Sequence, residues 1–288
     1  MEATELLKKV RKIEIKARGL TRQVFAGEYH SAFKGRGISF SEVREYQYGD
    51  DIRSIDWNVT ARFNHPYVKV FEEERELTVM LLVDVSGSGN FGTRGSYKRE
   101  QITEISALLA FSAINNNDKI GVIFFSDRVE KFISPQKGRK HILRIIRELL
   151  DFKPQSRNTN LNEPIRYLTN AIKKRCTAFI ISDFLAPDFE RSLQIASNKH
   201  DTVGLRINDI MEMELPELGL LYLDDPETGD KLWLDTSLKS VRQRFQDNWL
   251  HDRKRLNEIF TRCGVDNVSI FTGEDYVKPL INLFKKRS

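Results

Sequence analysis

"LLVDVSGSGNFGT", residues 81–93, starts as an apolar run and finishes in glycines and hydroxyls. Gly87-Ser88-Gly89-Asn90-Phe91-Gly92 satisfies the G-x-G-x-x-G pattern of dinucleotide-binding loops. The same letters set a carboxylate and two hydroxyls, Asp84, Ser86 and Ser88, at alternate positions. Context excludes the dinucleotide reading. A pyrophosphate loop needs its third glycine where a helix begins, and an acid roughly 20 residues further on closing the second strand. Here the predicted helix opens several residues after Gly92, and the second strand ends much farther on, at Ser126. Asp84 at the mouth of the loop would repel phosphate. The oxygen set suits a hard divalent cation instead, magnesium or manganese, which takes oxygen ligands and keeps waters.

Outward from that stretch, residues 77–83 and 119–126 are almost wholly apolar, the pattern of strands covered on both faces. Only Asp127-Arg128 separates the second from residues 129–133, so those two must form an antiparallel hairpin. Periodicity predicts helices at 3–17, 97–115, 138–152, 161–174, 187–198, 237–263 and 274–286. It predicts further strands at 65–71, 178–182, 202–207 and 268–271, and a hairpin of 220–223 with 231–234. The 65–71 strand contains Pro66 and reads as an edge strand, and 35–63 reads as irregular. The alternation predicts an α/β fold, a doubly wound, mostly parallel sheet with one antiparallel edge strand. In such sheets the carboxyl ends of strands converge on one crevice. Two other segments reach it: the loop 157–161 offers Thr159, and strand 178–182 ends in Asp183.

The chain has 288 residues, 40% hydrophobic and 30% charged, the balance of a globular protein with a real core. No apolar run approaches the roughly 18 residues of a membrane span. The N-terminal stretch interleaves acid and base with its leucines, unlike a signal peptide, and Glu2 stands where myristoylation needs glycine. A cytoplasmic location is expected. Cys176 and Cys263 read as buried thiols, and without C-x-x-C or paired histidines no zinc site is expected. The net charge is +5, densest at Lys8, Lys9, Arg11, Lys12, Lys16, Arg18 and Arg22. These read as a solvated helix face; they lack the aromatics of a single-strand nucleic-acid binder, and no nucleic acid is expected. Between 44 and 62, Arg44, Arg53 and Arg62 alternate with Asp50, Asp51 and Asp56, with Tyr46 and Trp57 among them. They read as arginine–carboxylate pairs pinning an irregular segment onto the α/β core, with a docking surface as the alternative. The expected organisation is an N-terminal extension at 1–75 with no core of its own, an α/β domain at 76–210, and a hairpin and helices at 211–288 completing the same unit.

Asp84-x-Ser86-x-Ser88, then Thr159, then Asp183 resembles the metal-ion-dependent adhesion site of von Willebrand factor type A domains, and the element order from 77 to 133 is similar to that fold. Upstream, "GRGISFSEVREYQYGDDIRSIDWNVTARF" followed by "VKVFEEERE" resembles the family catalogued as domain of unknown function fifty-eight. The two together cover nearly the whole chain. Where many type A domains have Thr-Asp-Gly, this chain has Ser182-Asp183-Phe184, which keeps the carboxylate and changes the loop after it. The resemblance implies binding without catalysis: Ser86, Ser88 and Thr159 contact magnesium or manganese, while Asp84 and Asp183 hold it mostly through water. The open coordination position then takes an acidic side chain of a partner protein. The family resembles companions of MoxR-type AAA+ ATPases, so a remodelling ATPase is the implied partner. Its members often carry transmembrane helices, and none is seen here.

Two other classes stay in view. Asp84 as a phosphoryl-accepting nucleophile with magnesium, assisted by Ser126, Lys173 and Asp183, would make a phosphatase, although that chemistry wants an aspartate where Ser86 stands. A basic first helix binding nucleic acid is the third.

Overall fold

The computed structural model describes residues 3–21, 29, 39–63, 65–72, 77–93, 97–224 and 229–287. Arg22, the acidic and basic cluster at 73–75 and the hairpin turn at 225–228 lie outside them. The chain divides into two compact units, 34–76 and the remainder. The stretch expected as one extension at 1–75 is thus divided. Its helix α1 (Ala3–Leu20) belongs to the larger unit, where Val10 and Ala17 are buried and Glu14 pairs with Arg139.

The smaller unit carries β1 (Ser39–Glu45), α2 (Trp57–Phe63) and β2 (Tyr67–Glu72). β1 and β2 pair antiparallel in a two-stranded sheet of their own, with an irregularity between Phe40 and Glu42. That break in register explains why β1 shows no clean alternation and reads as irregular in sequence. Of the expected arginine–carboxylate pairs, Arg44 with Asp50 forms, two-pronged at 2.8 and 2.7 Å, entirely within this unit. The other acids serve the backbone. Asp51 accepts from Arg53 N–H, and Asp56 accepts from Asn58 and Val59 N–H, because free amides at a helical turn are their nearest donors. Among the described residues Arg53 and Arg62 form no ion pair, and Trp57 is 67% exposed.

The larger unit is built on β3 (Thr78–Asp84), β4 (Lys119–Phe125), β5 (Val129–Gln136), β6 (Thr177–Ser182) and β7 (Asp201–Asn208). β8 (Leu220–Asp224) and β9 (Lys231–Asp235) form a separate hairpin, and β10 (Asp266–Phe271) rejoins the main sheet. The sheet order is β10–β7–β6–β3–β4–β5, parallel except for β5 at one edge. This is the doubly wound arrangement the sequence predicts, with strand β4 returning directly as β5. Gly121 lets the hairpin close: a Cβ there would lie 2.9 Å from the Ile133 carbonyl oxygen.

Helices cover both faces. α3 (Lys98–Asn115), α4 (Arg139–Asp151), α5 (Asn162–Ala171), α6 (Glu190–Lys199), the single turn α7 (Ile210–Met213), α8 (Lys239–Arg262) and α9 (Val277–Arg287) complete the chain order. Val79, Leu81 and Val83 of β3 point into a core with α1, α3, α4 and α9, while Met80 and Leu82 join a second core with α5, α6 and α8. Each of the five is fully buried, which is why β3 lacks the alternation of a half-exposed strand. No described helix is long and apolar enough to cross a membrane.

Candidate metal-binding site

The parallel pairing of β3 with β6 runs to Val83 and Ile181, so Asp84 and Asp183 both lie just beyond it, at the carboxyl ends of neighbouring strands. The sequence places Asp84 at the mouth of a crevice loop, where solvent contact would be ordinary. Instead it is buried, 6% exposed, with both oxygens engaged. Oδ1 accepts the Ser86 N–H at 3.0 Å, and Oδ2 accepts the Ser182 hydroxyl at 2.6 Å. Burial first, and then the charge of Asp183, pushes the Asp84 carboxyl up to about 7. Two carboxylates confined together in a low dielectric favour the arrival of positive charge.

Ser86 and Ser88 face each other at 3.1 Å between hydroxyl oxygens, in a loop that makes a short helical turn over Gly87–Asn90. The loop carrying Thr159 is tied to that turn and to β4. Gly87 N–H donates to the Arg157 carbonyl at 2.8 Å, and Asn160 N–H donates to the Ser126 carbonyl at 3.0 Å. Glu130 on β5 fixes the same loop by accepting from Gln155 and Ser156 N–H. Thr159 is half-buried, and beside it the Asn160 side chain accepts from Asn162 N–H at the start of α5.

Asp183 holds its own turn by accepting from Leu185 N–H at 3.2 Å. Phe184 then adopts a positive φ of 60°, the left-handed conformation that glycine would take freely. Its ring packs on Phe189 and edge-on to Phe260 at 5.1 Å.

One participant escapes sequence reading altogether. Lys98, in the first turn of α3, is 1% exposed and donates to Asp183 at 3.1 Å and to Glu212. Burial alone lowers an ammonium pKa, but Asp183 and Glu212 outweigh it and hold Lys98 raised. A cation at a helix N-terminus opposes the dipole, so nothing in the pattern marks it as more than a solvated side chain. Glu212 also caps α7 together with Asp209, which accepts from the Thr93 hydroxyl and backbone and from Thr272.

The donor set fits a hard divalent cation: hydroxyls in front, and behind them the buried Asp84 beside Asp183, which Lys98 already pairs. Among the described residues no group of three or more histidine, cysteine, aspartate or glutamate side chains is placed to hold a metal ion. Of the phosphatase helpers, Asp183 lies close enough to Asp84 to raise its pKa, whereas Lys173 lies apart. Ser126 donates to Glu130, and Lys173 is exposed before β6, at the opposite end of the sheet from Asp84. In α1, Lys16 pairs with Glu104 and Arg18 with Glu14, removing part of the basic face that nucleic-acid binding would use.

An uncharacterized protein of Mycobacterium tuberculosis is 28% identical over 283 residues, covering 96% of this chain and 88% of that protein. The uncharacterized protein YeaD of Bacillus subtilis is 30% identical over 110 residues, 38% of this chain and 25% of its own. Among solved structures, the conserved hypothetical protein BatB of Bacteroides thetaiotaomicron is similar at 15% identity and a TM-score of 0.49, over 73% of this chain and 98% of that one. The SpRpn10 VWA domain is similar at 13% identity and a TM-score of 0.40, over 72% and 94%. The model of the family described as protein of unknown function DUF58 matches residues 42–255, and the chain belongs to that family.

Proposed function

We propose that the chain is a protein-interaction module that holds magnesium or manganese on Ser86, Ser88 and Thr159, with Asp84 and Asp183 behind them, and offers the ion to an acidic side chain of a partner. The observation that carries this reading is the convergence at one sheet end of the Ser86–Ser88 hydroxyl pair and two buried carboxylates. The ion would screen the two carboxylates and, with neutral ligands in front, keep affinity for a further anion. The resemblance to companions of MoxR-type AAA+ ATPases supports such an ATPase as the partner. In the smaller unit, exposed Trp57, with Arg53 and Arg62 that form no ion pair among the described residues, supports a docking surface over a purely internal role.

The test is a pull-down of a MoxR-type AAA+ ATPase, with magnesium or with chelator, using wild type and Asp84→Asn. Asparagine is chosen because alanine would leave the Ser86 amide and Ser182 hydroxyl unpaired, at about 1–3 kcal/mol each. Capture only with magnesium and an intact Asp84 is expected. Equal capture in every condition would leave a metal-independent scaffold.

A further inference from the structure

Beside Asp183, the loop at 184–189 and α8 enclose a cavity of about 290 Å³. Phe184, Leu185, Leu256 and Ile259 give it apolar walls, and Arg206 lines it from β7. Arg206 is only 3% exposed. Among the described residues it forms no ion pair, and its Nε has no hydrogen-bond partner. Its guanidinium lies 5.9 Å from the Trp249 ring, which Arg253 shares at 5.1 Å. Two guanidinium groups on one indole repel each other, and burial adds to the cost. Asp183, Glu212 and Asp252 act on Arg206 at longer range, and the first two are already bonded to Lys98. A buried cation in this state gains most from an anion that enters and pairs with it.

We propose that this cavity is a second binding site, for a carboxylate carried beside an aliphatic side chain of a partner polypeptide. The carboxylate pairs with Arg206 and the aliphatic group covers the Phe184–Ile259 wall. The volume lies at the small end of ligand pockets, room for one or two residues and too little for a nucleotide cofactor. At the rim, Arg255 adds to the attraction, while Asp252 disfavours an anion of higher charge such as phosphate. The site uses none of the Ser86, Ser88 and Thr159 hydroxyls, so it operates in the presence of chelator, and its failure is distinguishable from failure of the metal site.

The test titrates acetyl-leucyl-glutamate amide, its glutamine counterpart and inorganic phosphate into the full chain in chelator, followed by saturation-transfer NMR. The acidic peptide is expected to bind saturably, with the glutamine form weaker by roughly tenfold or more. Arg206→Met should abolish that preference and, by removing an unpaired buried charge, raise the melting temperature of the free protein. Ala186→Phe, which fills the cavity from the loop, should weaken the acidic peptide with Arg206 intact. Equal binding of the two peptides would overturn the proposal, as would phosphate binding as tightly as the acid, an acid preference surviving Arg206→Met, or a lower melting temperature in that variant.

Discussion

Lys98 acts as the internal counter-ion of Asp183 and Glu212, and its removal leaves two carboxylates facing each other in the interior. Lys98→Met is expected to lower stability by about 3–5 kcal/mol in urea denaturation, with part recovered by adding Glu212→Gln. A fully stable single variant would mean that solvent already neutralises the pair. His200 is a second buried ionisable group, 0% exposed, its Nδ1 3.3 Å from the Cys176 sulfur. Burial, then Lys199 and Arg175, lowers its pKa from 6.5 to about 4. Between those values the unfolded chain binds the extra proton, so stability is complete above 6.5 and falls with acidification toward 4. The slope should be about 1.4 kcal/mol per pH unit and should flatten in His200→Leu; an unchanged slope would assign acid sensitivity elsewhere. At this scale, Asp84, Ser86, Ser88 and Asp183 are legible because spacing and strand ends fix their direction. Lys98, Ser182 and Arg206 are not, because only tertiary neighbours distinguish a buried charge or hydroxyl from a solvated one.

The β6–α6 loop balances strain against packing at Phe184. A non-glycine residue in the left-handed region costs about 1–2 kcal/mol, whereas losing a buried phenylalanine ring costs about 3–5. Packing wins, so Phe184→Gly should be destabilising by about 2 kcal/mol even though glycine suits the backbone; a gain in melting temperature would show the ring to be dispensable. The β4–β5 hairpin depends on Gly121 in a different way. Gly121→Ala meets the Ile133 carbonyl and the Pro135 nitrogen, backbone atoms that cannot rotate aside, and should cost about 1–3 kcal/mol by denaturant titration. The central strands are readable because doubly buried strands are nearly uniform apolar runs, and β5 because the short Asp127-Arg128 connection admits one geometry, whereas the strand order comes from the structure. β1 is hidden by its register break, which sets Phe40 and Val43 out of step.

Across the whole molecule, the two units differ in what sustains them. In the segment 34–76, Val68 is the buried apolar residue among those described, and the other contacts are backbone pairing, the Arg44–Asp50 fork, the Lys69–Asp56 pair and the Phe63–Tyr67 ring contact. A peptide spanning 34–76 is therefore expected to show no cooperative thermal transition by circular dichroism, since a two-stranded ribbon without a core is at best marginal. A sharp transition would give it the standing of a domain. The larger unit has the opposite character, with a sheet whose last strand, β10, reaches β7 after an excursion through the β8–β9 hairpin and α8. Phe271 follows Asn208 by 63 positions (271 − 208), and at ribosomal speeds of about 5–20 residues per second that interval lasts roughly three to thirteen seconds. Throughout it the nascent chain displays the bare edge of β7, an apolar strand open to pairing with a neighbour. Biogenesis thus has a vulnerable window set by topology, and slowing translation between 208 and 271 should increase aggregation, while slowing it before 201 should not.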